Sequence, residues 1–167
     1  MWYNFLMNIL GIDPGTAITG WGVIRVAKGK QEFIDAGVIE TIASESLENR
    51  LMTIYDDVAT LIKKFHPEAV AIEKLFFNTN AKTALAVGHS RGVVMLAVSQ
   101  NGIPLYEYTP LQVKTAITGY GRADKKQMQE MIKRLLKLNS IIKPDDAADA
   151  LAVAITHSVS IKIKNIP

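Results

Sequence analysis

The sequence has no cysteine among its 167 residues. It can therefore form no disulfide, no thiolate zinc site and no cysteine nucleophile. Histidine is also scarce, and His66, His89 and His157 do not show the spacing of metal ligands. Any metal site in this chain must use oxygen ligands, with histidine as the one remaining alternative.

Long hydrophobic runs are missing as well. The longest, Gly92 to Val98 and Ala150 to Ile155, fall far short of the ~20 residues that span a bilayer. The amino end has no basic stretch before an apolar run and no small-residue cleavage site, so it does not resemble a secretory signal. We expect a cytoplasmic protein that makes no use of a membrane.

Repeats, low-complexity tracts and linkers rich in Pro, Gly and Ser are absent too. Domains usually hold ~100–200 residues. Hydrophobic residues make up 49% of this chain and charged residues 21%, which is typical of globular proteins. These observations predict a single domain over residues 1–167.

Charge is distributed unevenly along the chain. Residues 1–73 carry 6 Lys and Arg against 10 Asp and Glu, whereas residues 74–167 carry 13 against 6. Basic side chains concentrate between Gln112 and Leu138, namely Lys114, Arg122, Lys125, Lys126, Lys133, Arg134 and Lys137. The pattern is compatible with a polyanionic partner, and equally with the solvated face of a helix.

Apolar periodicity and turn residues predict the order of the elements. Strands are expected at 8–13, 21–26 and 33–41, then a helix over 51–65, a strand at 69–73, a helix over 80–100 and a strand at 103–109. A short helix from Pro110, a helix face from Met128 to Leu138 and a last helix over 145–160 complete the chain. This order predicts an α/β fold in which a mixed five-stranded sheet, an antiparallel meander followed by parallel strands, is flanked by helices.

Four carboxylates lie at positions where they could together form a cation site. Asp13 and Glu73 each close an apolar strand, and Asp146 and Asp149 lie three residues apart on one face of the last helix. Solvated strand ends and acids that complement a helix dipole are the structural alternatives. If the acids converge instead, they need a cation, and oxygen ligands suit Mg²⁺. Two such ions would support hydrolysis of a phosphodiester bond.

Several motifs carry a family resemblance. They are Gly11-Ile12-Asp13-Pro14-Gly15, Ala71-Ile72-Glu73, Thr83-Ala84-Leu85, Arg91-Gly92-Val93, Gln112-Val113-Lys114 and Asp146-Ala147-Ala148-Asp149. In this order they resemble the RuvC family of crossover junction endodeoxyribonucleases, which are Holliday junction resolvases with an RNase H-like fold. The resemblance runs from Met7 onward, so residues 1–6 are interpreted as an N-terminal extension.

The resemblance implies roles for matching residues. Asp13, Glu73, Asp146 and Asp149 match the family's catalytic metal ligands, although Asp145 competes with Asp146 on spacing alone. Two Mg²⁺ per site are implied, with Mn²⁺ as a substitute. Phe76 matches an aromatic residue that inserts among bases, with a core position for Phe76 and Phe77 as the alternative. Lys114 and Lys125 match DNA-contacting lysines, and Arg122 and Lys126 are expected to add phosphate contacts.

Partners are implied in the same way. The substrate would be four-way junction DNA, nicked in symmetric pairs during recombination and repair. A homodimer is implied, and Ala84, Gly88 and Gly92 would permit close approach of another helix, with packing against the chain's own sheet as the alternative. Coupling to the RuvAB branch-migration motor is also implied.

Three other functions compete with this interpretation. The Gly11–Thr16 segment resembles a phosphate loop of sugar kinases and actin, but their second nucleotide-binding lobe does not fit in 167 residues. A non-catalytic DNA-binding module would not need four acids in register. The smaller RNase H-like family typified by YqgF acts on RNA, and the Phe76 loop and the basic segment favour the junction enzyme over it.

Overall fold

The computed structural model describes residues 6–74 and 81–164. These residues form five strands and five helices. In chain order they are β1 (Leu6–Asp13), β2 (Ile18–Ala27), β3 (Lys30–Glu40), α1 (Leu47–Phe65), β4 (Ala69–Glu73), α2 (Ala81–Gln100), β5 (Leu105–Tyr108), α3 (Pro110–Thr118), α4 (Lys125–Leu135) and α5 (Asp145–Lys164).

The sheet has the strand order β3-β2-β1-β4-β5. Strands β1, β2 and β3 pair antiparallel, and β4 and β5 join them in parallel register. Lys28 and Gly29 both have positive φ, 48° and 74°, as a two-residue hairpin between β2 and β3 requires. The predicted mixed sheet with an initial meander is confirmed.

Alternation along β1 and β4 separates two cores. Leu10 and Ile12 of β1, with Val70 and Ile72 of β4, pack against α1 and α2. Ile9 of β1, with Ala69 and Ala71 of β4, packs on the opposite face against α5. Because side chains alternate with a period of two, Asp13 and Glu73 belong to the face that α5 covers.

Helix α5 lies unusually close to β1 and β2. A Cβ atom at Gly11 would stand 2.0 Å from the carbonyl oxygen of Ala150, and one at Gly20 would stand 2.0 Å from that of Asp146. Ala147, Ala148 and Ala150 add small side chains to the buried face of the helix. As predicted from its apolar sequence, the helix beyond Asp149 is buried, from Ala150 to Ser158.

Helix boundaries depart from the prediction at α4. The apolar pattern placed a helix face from Met128 to Leu138, but the helix ends at Leu135. Lys137 takes a positive φ of 54°, so Leu138 reaches the core from outside the helix. At the other end Asp124 forms a capping box with Gln127, which starts the helix at Lys125.

No helix in residues 6–74 and 81–164 combines the length and the apolar character needed to cross a lipid bilayer. Residues 1–5 of the expected N-terminal extension are not among those the structure describes, whereas Leu6 already belongs to β1.

Substituting Gly11 by alanine tests the close approach of α5. The added methyl group would meet the backbone of Ala150, so we expect a loss of ~3 kcal/mol or more in the free energy of unfolding. Gly29→Ala is the matched control, because its methyl group meets open space and only the positive φ costs ~1 kcal/mol. Urea unfolding followed by circular dichroism measures both, and equal losses would contradict this account of the packing.

Candidate active site

The ends of two neighbouring strands bring Asp13 and Glu73 together. Strands β1 and β4 run parallel with Ile12 opposite Ile72, so the next residue of each strand is the acid. Both acids emerge on the α5 side of the sheet, as the alternation of the two cores requires. Both residues are partly buried.

Helix α5 places its two acids beside this pair. Asp13 lies opposite Gly20 in the β1–β2 ladder, and Gly20 is the position on which the Asp146 backbone rests. Asp149 follows three residues later, nearly one turn along the same face. The missing side chain at Gly20 therefore lets Asp146 approach the end of β1.

The four acids influence one another electrostatically. Burial, followed by the negative charges of Asp149, Glu73 and Asp146, raises the pKa of Asp13 to about 7. Burial, followed by the charge of Asp149, also raises the pKa of Glu73. Burial, opposed by Lys125 and reinforced by Asp146, raises the pKa of Asp149. The four acids, which we call the acidic cluster, thus lie near enough to repel one another electrostatically.

Oxygen atoms dominate this cluster, and its chemistry fits a hard divalent cation. Within residues 6–74 and 81–164, no three Asp, Glu or His side chains are close enough to share one ion as they stand. Cation binding would therefore require these carboxylates to draw closer together. The pKa values of Asp13, Glu73 and Asp149 are raised by burial and by neighbouring negative charge although Lys125 and Lys114 lower them in part, and a divalent ion would offset the remaining penalty.

Lys125 is the nearest positive charge on the α5 side. Its Nζ lies 3.1 Å from Oδ2 of Asp145 and 3.6 Å from Oδ2 of Asp149. The Asp145 contact, more than the charge of Asp149, raises the pKa of Lys125. The capping box at Asp124 fixes the first turn of α4 and with it the position of this lysine.

Asp145 has a different environment from Asp146. Lys143 Nζ donates to Asp145 Oδ1 at 2.7 Å, and the Gln129 amide donates to the same oxygen at 2.9 Å. The bond from Lys143, followed by that from Lys125, holds the pKa of Asp145 down at about 2. Asp145 is thus a satisfied member of an ion network, and Asp146 is the acid whose charge reaches Asp13.

The other predicted DNA contacts lie on α3, α4 and the turn between them. Lys114 is close enough to Glu73 to lower that acid's pKa, which places it at the edge of the cluster. Arg122 and Lys126 are exposed on the surface next to Lys125 in sequence. Phe76 and Phe77 fall outside the described residues.

One residue beside the site, Arg91, belongs to a motif quoted for the family resemblance but received no role from the sequence. Arg91 of α2 donates from Nη1 to the carbonyl oxygen of Glu73 at 2.5 Å and forms an ion pair with Glu107 of β5. Its side chain is only 12% exposed, and burial lowers its pKa. The sequence signal that could have indicated its role was an arginine within a helix of mostly small and apolar residues.

Comparison with known proteins agrees with this geometry. The family profile described as "Crossover junction endodeoxyribonuclease RuvC" matches residues 9–157. The chain belongs to the RuvC family. The RuvC protein of Ruminiclostridium cellulolyticum is 54% identical over 154 residues, covering 92% of this chain and 93% of that protein. That of Roseiflexus sp. is 55% identical over 149 residues, covering 89% of each.

Solved structures of the RuvC family have the same architecture. Thermus thermophilus RuvC in complex with a Holliday junction substrate has a TM-score of 0.90 at 36% identity, covering 95% of this chain and 96% of that one. The yeast mitochondrial Holliday junction resolvase has a TM-score of 0.66 at 17% identity, covering 93% of this chain and 80% of that one, which shows a shared fold. The predicted RNase H-like fold is confirmed.

The substitution Asp13→Asn tests whether the four acids destabilise the protein by repelling one another. Because the pKa of Asp13 rises from 3.8 to about 7 on folding, the wild-type protein without ions is penalised progressively as pH rises between these values, by ~4 kcal/mol at most. In EDTA at pH 8 we expect Asp13→Asn to be more stable than the wild type, with the gain vanishing near pH 4. Thermal unfolding across this pH range measures it.

Asp57→Asn supplies the control, because Asp57 is exposed on α1. It should leave the pH dependence of stability unchanged. A gain for Asp13→Asn that is equal at pH 4 and pH 8 would show that the charge of Asp13 does not destabilise the ion-free protein.

Proposed function

We propose that this protein resolves Holliday junctions by hydrolysing DNA phosphodiester bonds, with Asp13, Glu73, Asp146 and Asp149 as the ligands of divalent ions. The observation that carries the proposal is the cluster of four mutually repelling acids, bordered by Lys114 and Lys125, in a chain of the RuvC family. The acids supply a cation site, and the lysines supply charge that attracts a nucleic acid backbone.

Mg²⁺ is the ion that we assign to this site, two per active site, with Mn²⁺ as a substitute. When bound, such ions supply Lewis acidity to activate water and positive charge to stabilise the leaving oxygen. The protein's own contribution is to hold four oxygen donors on two strand ends and one helix, all on the α5 face of the sheet. The raised pKa of Asp13 means that ion binding would release protons near neutral pH.

Binding of the junction is assigned to the basic surface beside the acids. Lys114 and Lys125 stand at its inner edge, where a phosphate approaching the cluster would meet them first. Arg122 and Lys126 extend the positive charge outward for neighbouring phosphates. Phe76 is assigned to stack on an unpaired base at the crossover, a contact worth ~1–3 kcal/mol.

We assign the interface of a homodimer to the outer face of α2. Leu85 and Leu96 are 64% and 53% exposed there, and Cβ atoms at Gly88 and Gly92 would meet open space. Among residues 6–74 and 81–164 these glycines therefore serve no close packing, and their cost in a helix, ~1 kcal/mol each, is explained if a second copy approaches closely. Two sites related by a twofold axis suit the paired nicks of a four-way junction.

Two further assignments follow from the family resemblance alone. The RuvAB branch-migration motor is the proposed partner that delivers junctions in recombination and repair. The cytoplasm is the proposed location.

Cleavage of a synthetic junction tests the assignment of the acids. In Mg²⁺ the wild type should make paired symmetric nicks in a four-way junction, and none in a linear duplex of matching sequence or in EDTA. Asp146→Asn should abolish the nicks while junction binding in EDTA stays within a few-fold of wild type, because the acids hold ions and the basic residues hold DNA.

Asp145→Asn is the matched control, one residue away on the same helix turn. It should retain cleavage, since Asp145 is engaged with Lys143 and Gln129. Binding without cleavage in the wild type would favour a non-catalytic module. Cleavage of RNA alone would favour an RNA nuclease. Loss of cleavage in Asp145→Asn and not in Asp146→Asn would reverse the assignment of the two acids.

Gly92→Glu tests the dimer. A carboxylate at this position should prevent close approach of a second α2 and give a monomer by light scattering, with thermal stability near that of the wild type because the site is open within one chain. Met52→Glu on α1, where Met52 is 58% exposed, is the control and should remain dimeric. A monomeric wild type, or a Gly92→Glu variant that stays dimeric, would refute this interface.

A further inference from the structure

Arg91 joins three elements around the end of β4. It projects from α2, donates to the Glu73 carbonyl oxygen at 2.5 Å and pairs with Glu107 on β5. Placing a guanidinium where only 12% of the side chain reaches solvent is costly unless its hydrogen bonds are satisfied. Both of these contacts lie on the segment that ends at Glu73 or on the strand beside it.

The Glu73 backbone is paired with a neighbouring strand on one side only. The ladder between β1 and β4 ends at Ile12 and Ile72, so Glu73 lies beyond it on that side. On the other side Glu73 pairs with Tyr108 of β5, and the Lys74 amide donates to the Tyr108 carbonyl oxygen at 2.7 Å. Arg91 therefore contacts the strand at its final residue.

Helix α2 also contacts the loop that follows Asp13. Thr16 Oγ1 donates to the carbonyl oxygen of Ala86 at 2.7 Å. One helix thus holds the chain at both strand ends that carry acids, on the face of the sheet opposite α5. This arrangement lets α2 set the separation of Asp13 and Glu73 without touching either carboxylate.

We propose that Arg91 is a positioning residue, whose guanidinium fixes the backbone of Glu73 so that its carboxylate can bind a divalent ion together with Asp13. This inference rests on the proposed function, since it assigns Glu73 to the ion site. Arginine suits the task because its planar fork donates in two directions at once, to the carbonyl oxygen and to Glu107. Lysine keeps the charge and lacks the fork.

Arg91→Lys tests the proposal through ion binding without DNA. Loss of a group that orients a metal ligand typically weakens metal affinity 10–100-fold. We expect Mn²⁺ affinity, measured by calorimetry on the purified full-length protein, to fall about 10-fold. The Mg²⁺ concentration for half-maximal junction cleavage should rise by the same factor, with most of the maximal rate recovered at saturating Mg²⁺. Junction binding in EDTA should stay within about twofold, since the basic surface is untouched.

Arg25→Lys is the matched control. Arg25 donates from Nε to Asn8 Oδ1 at 3.1 Å, near the start of β1 and far along the strand from Asp13. It should change neither the Mn²⁺ affinity nor the Mg²⁺ dependence. A merely structural role for Arg91 would lower thermal stability or the amount of active protein without moving the Mg²⁺ midpoint.

Distinct results separate this inference from the proposed function. A wild type that cleaves junctions, together with an Arg91→Lys variant of unchanged Mn²⁺ affinity and Mg²⁺ midpoint, overturns the role of Arg91 alone. A wild type that neither binds Mn²⁺ nor cleaves junctions overturns the proposed function and this inference with it. If Arg91→Lys does not fold, Glu107→Gln replaces it, because it removes the charge that orients the guanidinium. An Mn²⁺ affinity about threefold weaker then supports the proposal, and an unchanged affinity overturns it.

Discussion

The close contact between the backbone of α5 and the first two strands is the constraint on which this site depends. It exists because glycine occupies the strand positions that face the helix and alanine occupies the helix positions that face the strands. At Gly11 and Gly20 the space that a Cβ would need is taken by helix carbonyl oxygens. Apolar packing alone would hold a helix on the sheet at a larger distance. The glycines bring α5 within reach of the strand ends, and so they decide where Asp146 and Asp149 stand relative to Asp13.

This placement of the four acids lowers the stability of the fold, although the proposed function requires it. Four acids near one edge of the sheet repel one another, and burial together with this repulsion makes the charged form of Asp13 costly, which raises its pKa to about 7. The structure compensates only in part, through Lys125 at the rim and Lys114 beside Glu73. A fold selected for stability alone would not collect these charges. The excess negative charge is explained if cations bind to the acids. The surrounding lysines are explained if a polyanion then binds beside those cations.

Much of this arrangement could be predicted from the sequence, because strand ends and helix faces follow from local patterns. The positions of Asp13 and Glu73 at the ends of apolar strands required only periodicity and turn residues, whereas the choice of Asp146 over Asp145 as the partner of Asp149 came from the family resemblance. The end of α4 was placed too late, because Leu138 packs into the core although the helix has already ended. The role of Arg91 was missed, although its motif was noted, because its partners are a backbone carbonyl and an acid on another strand, and such long-range contacts leave no periodic trace. The insertion of Phe76 remains a prediction.

The four acids are also widely separated in the chain, at its first strand, its fourth strand and its last helix. Nothing local holds them together, since no two of these three elements are consecutive in sequence. A cation shared among them would act as a cross-link that closes very long loops of an otherwise flexible polymer. Loading of the site would then slow hydrogen exchange at amides far from it, in β1 and along α5, because opening either element would first require the cation to leave.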